Sequence, residues 1–171
     1  PHNIRLPCQL CVLPDKSMNQ TEKSWGDNMY QLVIVDDEPW VLSGLEELIE
    51  WENFGFSITG KFTDPADALA QIRRIKPDVV ITDIRMPGMS GIELIGALKE
   101  EKIDAQVVLI SAYRDFEAAR EGIRYGACQY ILKPFDQDEV EETVRLISKK
   151  LQDRTNHVIL DASKPESFLT P

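Results

Sequence analysis

Residues 31–40 read QLVIVDDEPW: an unbroken apolar run, Leu32-Val33-Ile34-Val35, then three carboxylates, Asp36, Asp37 and Glu38, then Pro39. A continuous apolar run, not an alternating one, suits a strand covered on both faces, as in a parallel sheet. Proline is favoured in the first turn of a helix. The segment behind it, PWVLSGLEELIEW (39–51), places Leu42, Leu45 and Ile49 at helical spacing. The stretch is therefore a buried strand passing into a helix through an acidic corner. Two carboxylates about 4 Å apart repel by roughly 4 kcal/mol at an effective dielectric near 20. A cation would offset that repulsion, and so would a solvated loop end.

The same alternation continues along the chain. FSITGKF (56–62) is β-rich. DPADALAQIRRI (64–75) opens with Asp64 as an N-cap and Pro65 at the first helical position, with Ala68, Leu69, Ile72 and Ile75 as its apolar face. DVVIT (78–82) and QVVLIS (106–111) are further unbroken strands. Between them GIELIGALKEE (91–101) is a helix with Ile95 and Leu98 inward. DFEAAREGIRYG (115–126) is a weaker helix, with Phe116, Ala119 and Ile123 on one side and Gly122 inside. CQYIL (128–132) is a fifth strand. DQDEVEETVRLISKKL (136–151) is the last helix, with Asp136 and Glu139 as a capping pair and Val140, Val144, Ile147 and Leu151 as its stripe. Five strands alternating with five helices give an α/β, doubly wound, five-stranded parallel sheet with helices on both faces. The flavodoxin-like strand order 2-1-3-4-5 is expected on fold-level grounds.

This domain occupies residues 29–152. Residues 1–28 have no sustained period and contain Pro7 and Pro14, which reads as a disordered leader or linker. Residues 153–171 are a short tail or the start of a linker, with RLISKKLQDR (145–154) reading as a helix that runs on towards it. The net charge is −10, and residues 29–152 carry 14 Lys/Arg against 23 Asp/Glu. Phosphate contact needs clustered basic residues, so this segment is not expected to bind nucleic acid itself. No apolar run reaches about 18 residues, so no membrane span is expected. The leader has no basic region followed by an apolar one, so a secretory signal is not expected. Cys8, Cys11 and Cys128 are too few and scattered for a disulfide framework. Cys8 and Cys11 have CxxC spacing, but no second pair accompanies them, and incidental cysteines in a reducing cytoplasm are the simpler reading. Trp40, Trp51, Phe54 and Phe56 read as packing residues, and the side chain of Arg85 as exposed.

In open parallel sheets, sites form beyond the carboxyl ends of the strands. There this chain places Asp36 and Asp37, then Asp83, then Ser111 and Ala112, then Lys133-Pro134. Carboxylates around a hole suit a hard cation such as Mg²⁺. A carboxylate is also a nucleophile that forms an aspartyl phosphate. Phosphoryl transfer needs positioning and charge neutralisation, which a cation, a lysine and a hydroxyl supply. Read singly, each residue has a plainer role: a solvated strand end, a loop acid, a surface lysine, a strand-ending serine.

The segments VIVDDEP, DVVITDIRMPGMSGIEL, VVLISAYRDF and GACQYILKPF, in that order, resemble the receiver domain of two-component response regulators over residues 30–151. Asp83 follows Asp37 by 46 residues, Ser111 follows by 28 more and Lys133 by 22 more. DEPW, GLEELIEWENFGF and SAYRDFEAA are similar, more narrowly, to receivers that precede AraC-type helix-turn-helix domains (YesN-like). The resemblance implies that Asp83 is the phosphoacceptor and that a sensor histidine kinase is the phosphoryl donor. It implies Mg²⁺, or another divalent cation, held by Asp37, Asp83 and the Arg85 backbone carbonyl, with Asp36 acting largely through water. Lys133 then contacts the phosphoryl group, before a cis bond to Pro134. Ser111 is the hydroxyl that moves to the phosphate and Tyr130 the aromatic that turns inward behind it. Ala112 leaves the phosphate reachable, and Pro87-Gly88 is the turn after the acceptor, with Gly91 following. The fourth helix, fifth strand and last helix form an output face and a possible homodimer interface. The resemblance implies a piece of a transcription regulator whose DNA binding lies in a missing C-terminal domain.

Two rival classes remain. Enzymes that turn over an aspartyl phosphate commonly carry a second acid two residues after the nucleophile, and Arg85 stands there instead. A pseudo-receiver used as a docking module is expected to lose Asp37, Asp83 or Lys133, and all three are present.

Overall fold

The unbroken apolar runs form the middle of a sheet. β1 (Tyr30–Val35), β3 (Val79–Asp83) and β4 (Gln106–Ser111) lie inside, and β2 (Phe56–Phe62) and β5 (Gln129–Leu132) are the edges. The order is β2-β1-β3-β4-β5, and every pairing is parallel. This is the expected doubly wound topology. The computed structural model describes residues 29–112 and 116–162, apart from the side chains of Phe116, Ala119 and residues 156–162. The expectations for residues 1–28, for Cys8 and Cys11, for the side chains of Phe116 and Ala119, and for residues 163–171 lie outside the described residues.

Strand residues alternate between the faces, so each apolar run supplies two cores. On one face Leu32, Ile34, Val79, Ile81, Val108, Ile110 and Ile131 pack against α1 (Pro39–Leu48) and α5 (Gln137–Ala162). On the other, Val33, Val35, Val80, Val107 and Leu109 pack against α2 (Pro65–Ile75) and α3 (Gly91–Glu100). α4 (Phe116–Tyr125) lies on this second face through Ala118. The expected stripes of α2, α3 and α5 point inward: Leu69 and Ile72, Ile95 and Leu98, and Val144 and Ile147 are all buried. Asp64 caps α2 by accepting from the Ala66 and Asp67 amides, and Asp136 accepts from the Glu139 amide at 2.8 Å.

Several expectations need correction. α1 ends at Leu48, and Trp51–Phe54 form a separate 3₁₀ turn. The helical pattern breaks because Trp51 must be buried with its indole N–H satisfied. It donates to the Leu45 carbonyl at 3.0 Å, and the extended backbone at Ile49 brings it there. α5 runs on beyond Leu151, as the 145–154 segment suggests, but reaches Ala162, because no glycine or proline interrupts it before Pro165. Ile123 is 63% exposed, not inward, since the small residues Ala118 and Gly122 face the sheet in its place. Trp40, read as packing, is 69% exposed.

Candidate functional site

Each strand of the sheet's interior delivers one polar group to the same edge. Asp36 directly follows β1 and is fully buried; its amide donates to the Phe62 carbonyl at 3.0 Å. One Asp36 oxygen, Oδ1, accepts from the Glu38 amide at 3.0 Å. β3 ends at Asp83, also buried, whose Oδ2 accepts from the Arg85 amide at 2.6 Å. Behind Asp83, an ideal Cβ on Gly91 would lie 2.2 Å from the Asp83 carbonyl oxygen, so only glycine lets α3 start this close. The Gly91 amide donates to the Ile84 carbonyl at 3.0 Å. Ser90 and Glu93 form a reciprocal capping box at the start of α3. Gly88 has φ of +83°, as a Pro-Gly turn requires of its second residue. On the far side, the Lys133 amide donates to the Ser111 carbonyl at 2.7 Å, and the Lys133–Pro134 peptide is cis.

The ammonium of Lys133 is the cation at the centre. Its Nζ lies 2.6 Å from Asp36 Oδ2, 2.9 Å from Asp83 Oδ1 and 3.4 Å from Glu38 Oε2. This answers the acidic corner: a lysine 97 residues along the chain offsets part of its charge. Burial opposes the charge on Lys133, but its hydrogen bonds to Asp36 and Asp83 outweigh that and hold its pKa above the ordinary lysine value. Burial pushes the Asp36 carboxyl above its ordinary value, against the downward pull of Lys133 and the Glu38 amide.

A cleft of about 160 Å³ opens above this cluster, lined by Asp37, Glu38, Asp83, Arg85, Ser111, Ala112 and Lys133. Larger open grooves, of about 780 and 830 Å³, run along α5 away from these groups. Ser111 is buried at the cleft wall, and Ala112 is exposed at its rim. Asp37 is exposed at the mouth. Tyr130 does not line the cleft; it is half-buried against the core under α2 and α3. The oxygen groups among the cleft residues, the Asp37, Glu38 and Asp83 carboxylates and the Ser111 hydroxyl, suit a hard ion such as Mg²⁺ and not a soft metal. Among the described residues, no three His, Cys, Asp or Glu side chains are grouped closely enough to hold an ion unaided.

Sequence reasoning gathered Asp36, Asp37 and Asp83. The three carboxylates around Lys133 are Asp36, Glu38 and Asp83, while Asp37 lines the same cleft; the sequence puts Glu38 in the acidic corner but assigns it no role at the site. A signal for it existed. Glu38 occupies the N-cap of α1, where Ser, Thr, Asp or Asn is preferred, and it makes no side-chain capping bond.

Fold and site define a receiver, and comparison with known proteins agrees. The family model described as response regulator receiver domain matches residues 32–145. This chain belongs to that family, the receiver domains of two-component response regulators. It is 34% identical over 141 residues to the transcriptional regulatory protein HptR of Staphylococcus aureus, covering 82% of this chain and 55% of that protein. It is 35% identical over 129 residues to the uncharacterized transcriptional regulatory protein YesN of Bacillus subtilis, covering 75% of this chain and 35% of that protein. The chain thus spans about half the length of such curated relatives, or less. Among solved structures, the REC domain of AraT, a response regulator from Geobacillus stearothermophilus, superposes with a TM-score of 0.71 at 30% identity, over 75% of this chain and 99% of that one. Among the described residues, no helix is long and apolar enough to cross a membrane.

Proposed function

We propose that the chain is a phosphorylation-dependent switch whose phosphoacceptor is Asp83. The observation that carries this reading is the placement of Lys133 Nζ, 2.9 Å from Asp83 and 2.6 Å from Asp36, at the floor of an open cleft. A sensor histidine kinase supplies the phosphoryl group. The P–N bond of its phosphohistidine breaks, an O–P bond forms on the Asp83 carboxylate, and the imidazole leaves. Lys133 supplies a positive charge beside the transferring group, and the Arg85 amide holds the other Asp83 oxygen in place. Asp37, Asp83 and the Arg85 carbonyl would hold Mg²⁺, with Asp36 acting through water. When bound there, the ion would supply further charge neutralisation for the phosphoryl group.

The new charge of about −2 on Asp83 draws the Ser111 hydroxyl, and Tyr130 turns inward into the space left behind. The output face consists of α4, β5 and α5, and it also serves as a homodimer interface. Ile123, Tyr125 and Leu146, exposed on α4 and α5, supply its apolar contacts. The receiver works within a transcription regulator in the cytoplasm, whose DNA contacts come from a further C-terminal domain and not from this acidic segment. It is not a turnover enzyme. Arg85 occupies the position where a second acid would activate water, so self-phosphorylation and self-dephosphorylation are slow.

Intact mass after incubation with Mg²⁺ and acetyl phosphate tests this. One phosphoryl adduct is expected, dependent on Mg²⁺ and absent in Asp83→Asn. No adduct despite Mg²⁺ binding would leave a docking module and remove the Ser111–Tyr130 switch.

A further inference from the structure

Resting on the phosphoacceptor reading, we infer that Glu38 is a positioning residue that competes with the incoming phosphoryl group for Lys133 and so sets the rate of phosphoryl acceptance from anionic donors. Three observations carry it. Glu38 Oε2 lies 3.4 Å from Lys133 Nζ, as the third carboxylate around one ammonium. Its side chain is 42% exposed where those of Asp36 and Asp83 are 0% and 8%, so Glu38 stands at the mouth while the other two form the floor. It occupies an N-cap without capping, so its side chain is spent on the cleft and not on the helix.

The consequence follows from charge. Asp36 is buried and holds Lys133 from one side. Asp83 is the nucleophile, so one of its oxygens changes role on transfer. Glu38 is the partner with room to move, because it is half-exposed and sits on a longer side chain. A donor phosphoryl group entering the cleft must pass this carboxylate and displace it from Lys133. Charge of one sign lining a cleft repels like-charged ligands and slows their entry, and salt screens that repulsion. Glu38 thereby delays small anionic donors. It leaves Lys133 paired until a better-placed phosphoryl group arrives.

The test compares wild type, Glu38→Gln and Glu38→Asp in phosphorylation rate with acetyl phosphate and Mg²⁺, at low and high ionic strength. Intact mass reads the adduct, and a separate titration reads Mg²⁺ affinity. Gln keeps the reach and removes the charge; Asp keeps the charge. Glu38→Gln is expected to react about fivefold faster than wild type at low salt, with the gain shrinking towards parity as salt rises. Glu38→Asp should stay within about twofold of wild type, because the charge remains at the mouth. An equal or slower rate in Glu38→Gln overturns the inference, as does a gain indifferent to salt. Weaker Mg²⁺ binding in Glu38→Gln with no rate gain overturns it too and makes Glu38 a metal ligand. Absence of any adduct on wild type is a different failure, that of Asp83 as acceptor.

Discussion

The junction after β3 and the helix after β4 follow adjacent strands, yet they are built in opposite ways. After β3 the chain is tied at several points. The Arg85 amide is bonded to Asp83, the Ile84 amide to the Ile110 carbonyl at 3.0 Å, and the Gly91 amide back to Ile84. Met86 is buried, and a capping box closes the start of α3. α4, by contrast, turns small residues to the sheet. Gly122 is buried so near Leu109 that a Cβ there would lie 2.2 Å from a Leu109 methyl, while Ile123 and Tyr125 stand 63% and 44% exposed. The first junction is a fixed platform for Asp83. The second is a light footprint of small residues on the sheet, with Ile123 and Tyr125 exposed among Glu117, Arg120, Glu121 and Arg124 on the outer side.

The largest test of the platform removes its cation. Lys133→Met leaves Asp36 and Asp83 buried without their shared partner, and a loss of about 3–5 kcal/mol is expected in urea unfolding at neutral pH. The pH dependence has a definite sign. Burial has already raised the Asp36 pKa, so its ionised form costs stability above that value and the cost disappears as pH falls through it. The deficit of Lys133→Met should therefore shrink towards acid pH. In the wild type, the raised Lys133 pKa means that its pairing contributes fully below about 10.5 and is lost as pH rises through the folded value.

Gly91→Ala comes next. Its Cβ would meet backbone, the Asp83 carbonyl, so the junction must move; about 2–3 kcal/mol of stability should go, together with phosphoryl acceptance. Ser90→Ala removes one half of the capping box and should cost about 1 kcal/mol, leaving the adduct intact on mass analysis. On the α4 side, Gly122→Ala meets only the end of a leucine side chain, and alanine's helix propensity returns about 1 kcal/mol. A net change within about 1 kcal/mol is expected there. Ile123→Ser is the smallest effect, within about 0.5 kcal/mol of wild type. An equal cost for Gly91→Ala and Gly122→Ala would erase the contrast between platform and footprint.

The sequence alone determined the class of fold, the position of its elements and the edge where chemistry collects. Unbroken apolar runs at 31–35, 78–82 and 106–111 admit burial on both faces, and polar residues follow each of them at a strand's carboxyl end. Those signals are local and periodic, so they survive without coordinates. Tertiary structure alone decided which acid meets Lys133. Asp37 and Glu38 are neighbours with the same charge and both line the cleft, but the path from β1 into α1 brings Glu38, not Asp37, to 3.4 Å from the Lys133 ammonium. It also decided that Trp51 folds back beneath α1, and that Gly122 faces the sheet while Ile123 faces out. Period fixes which residues share a face of an element; what lies opposite that face, and how closely, is set by strands and helices distant in the chain.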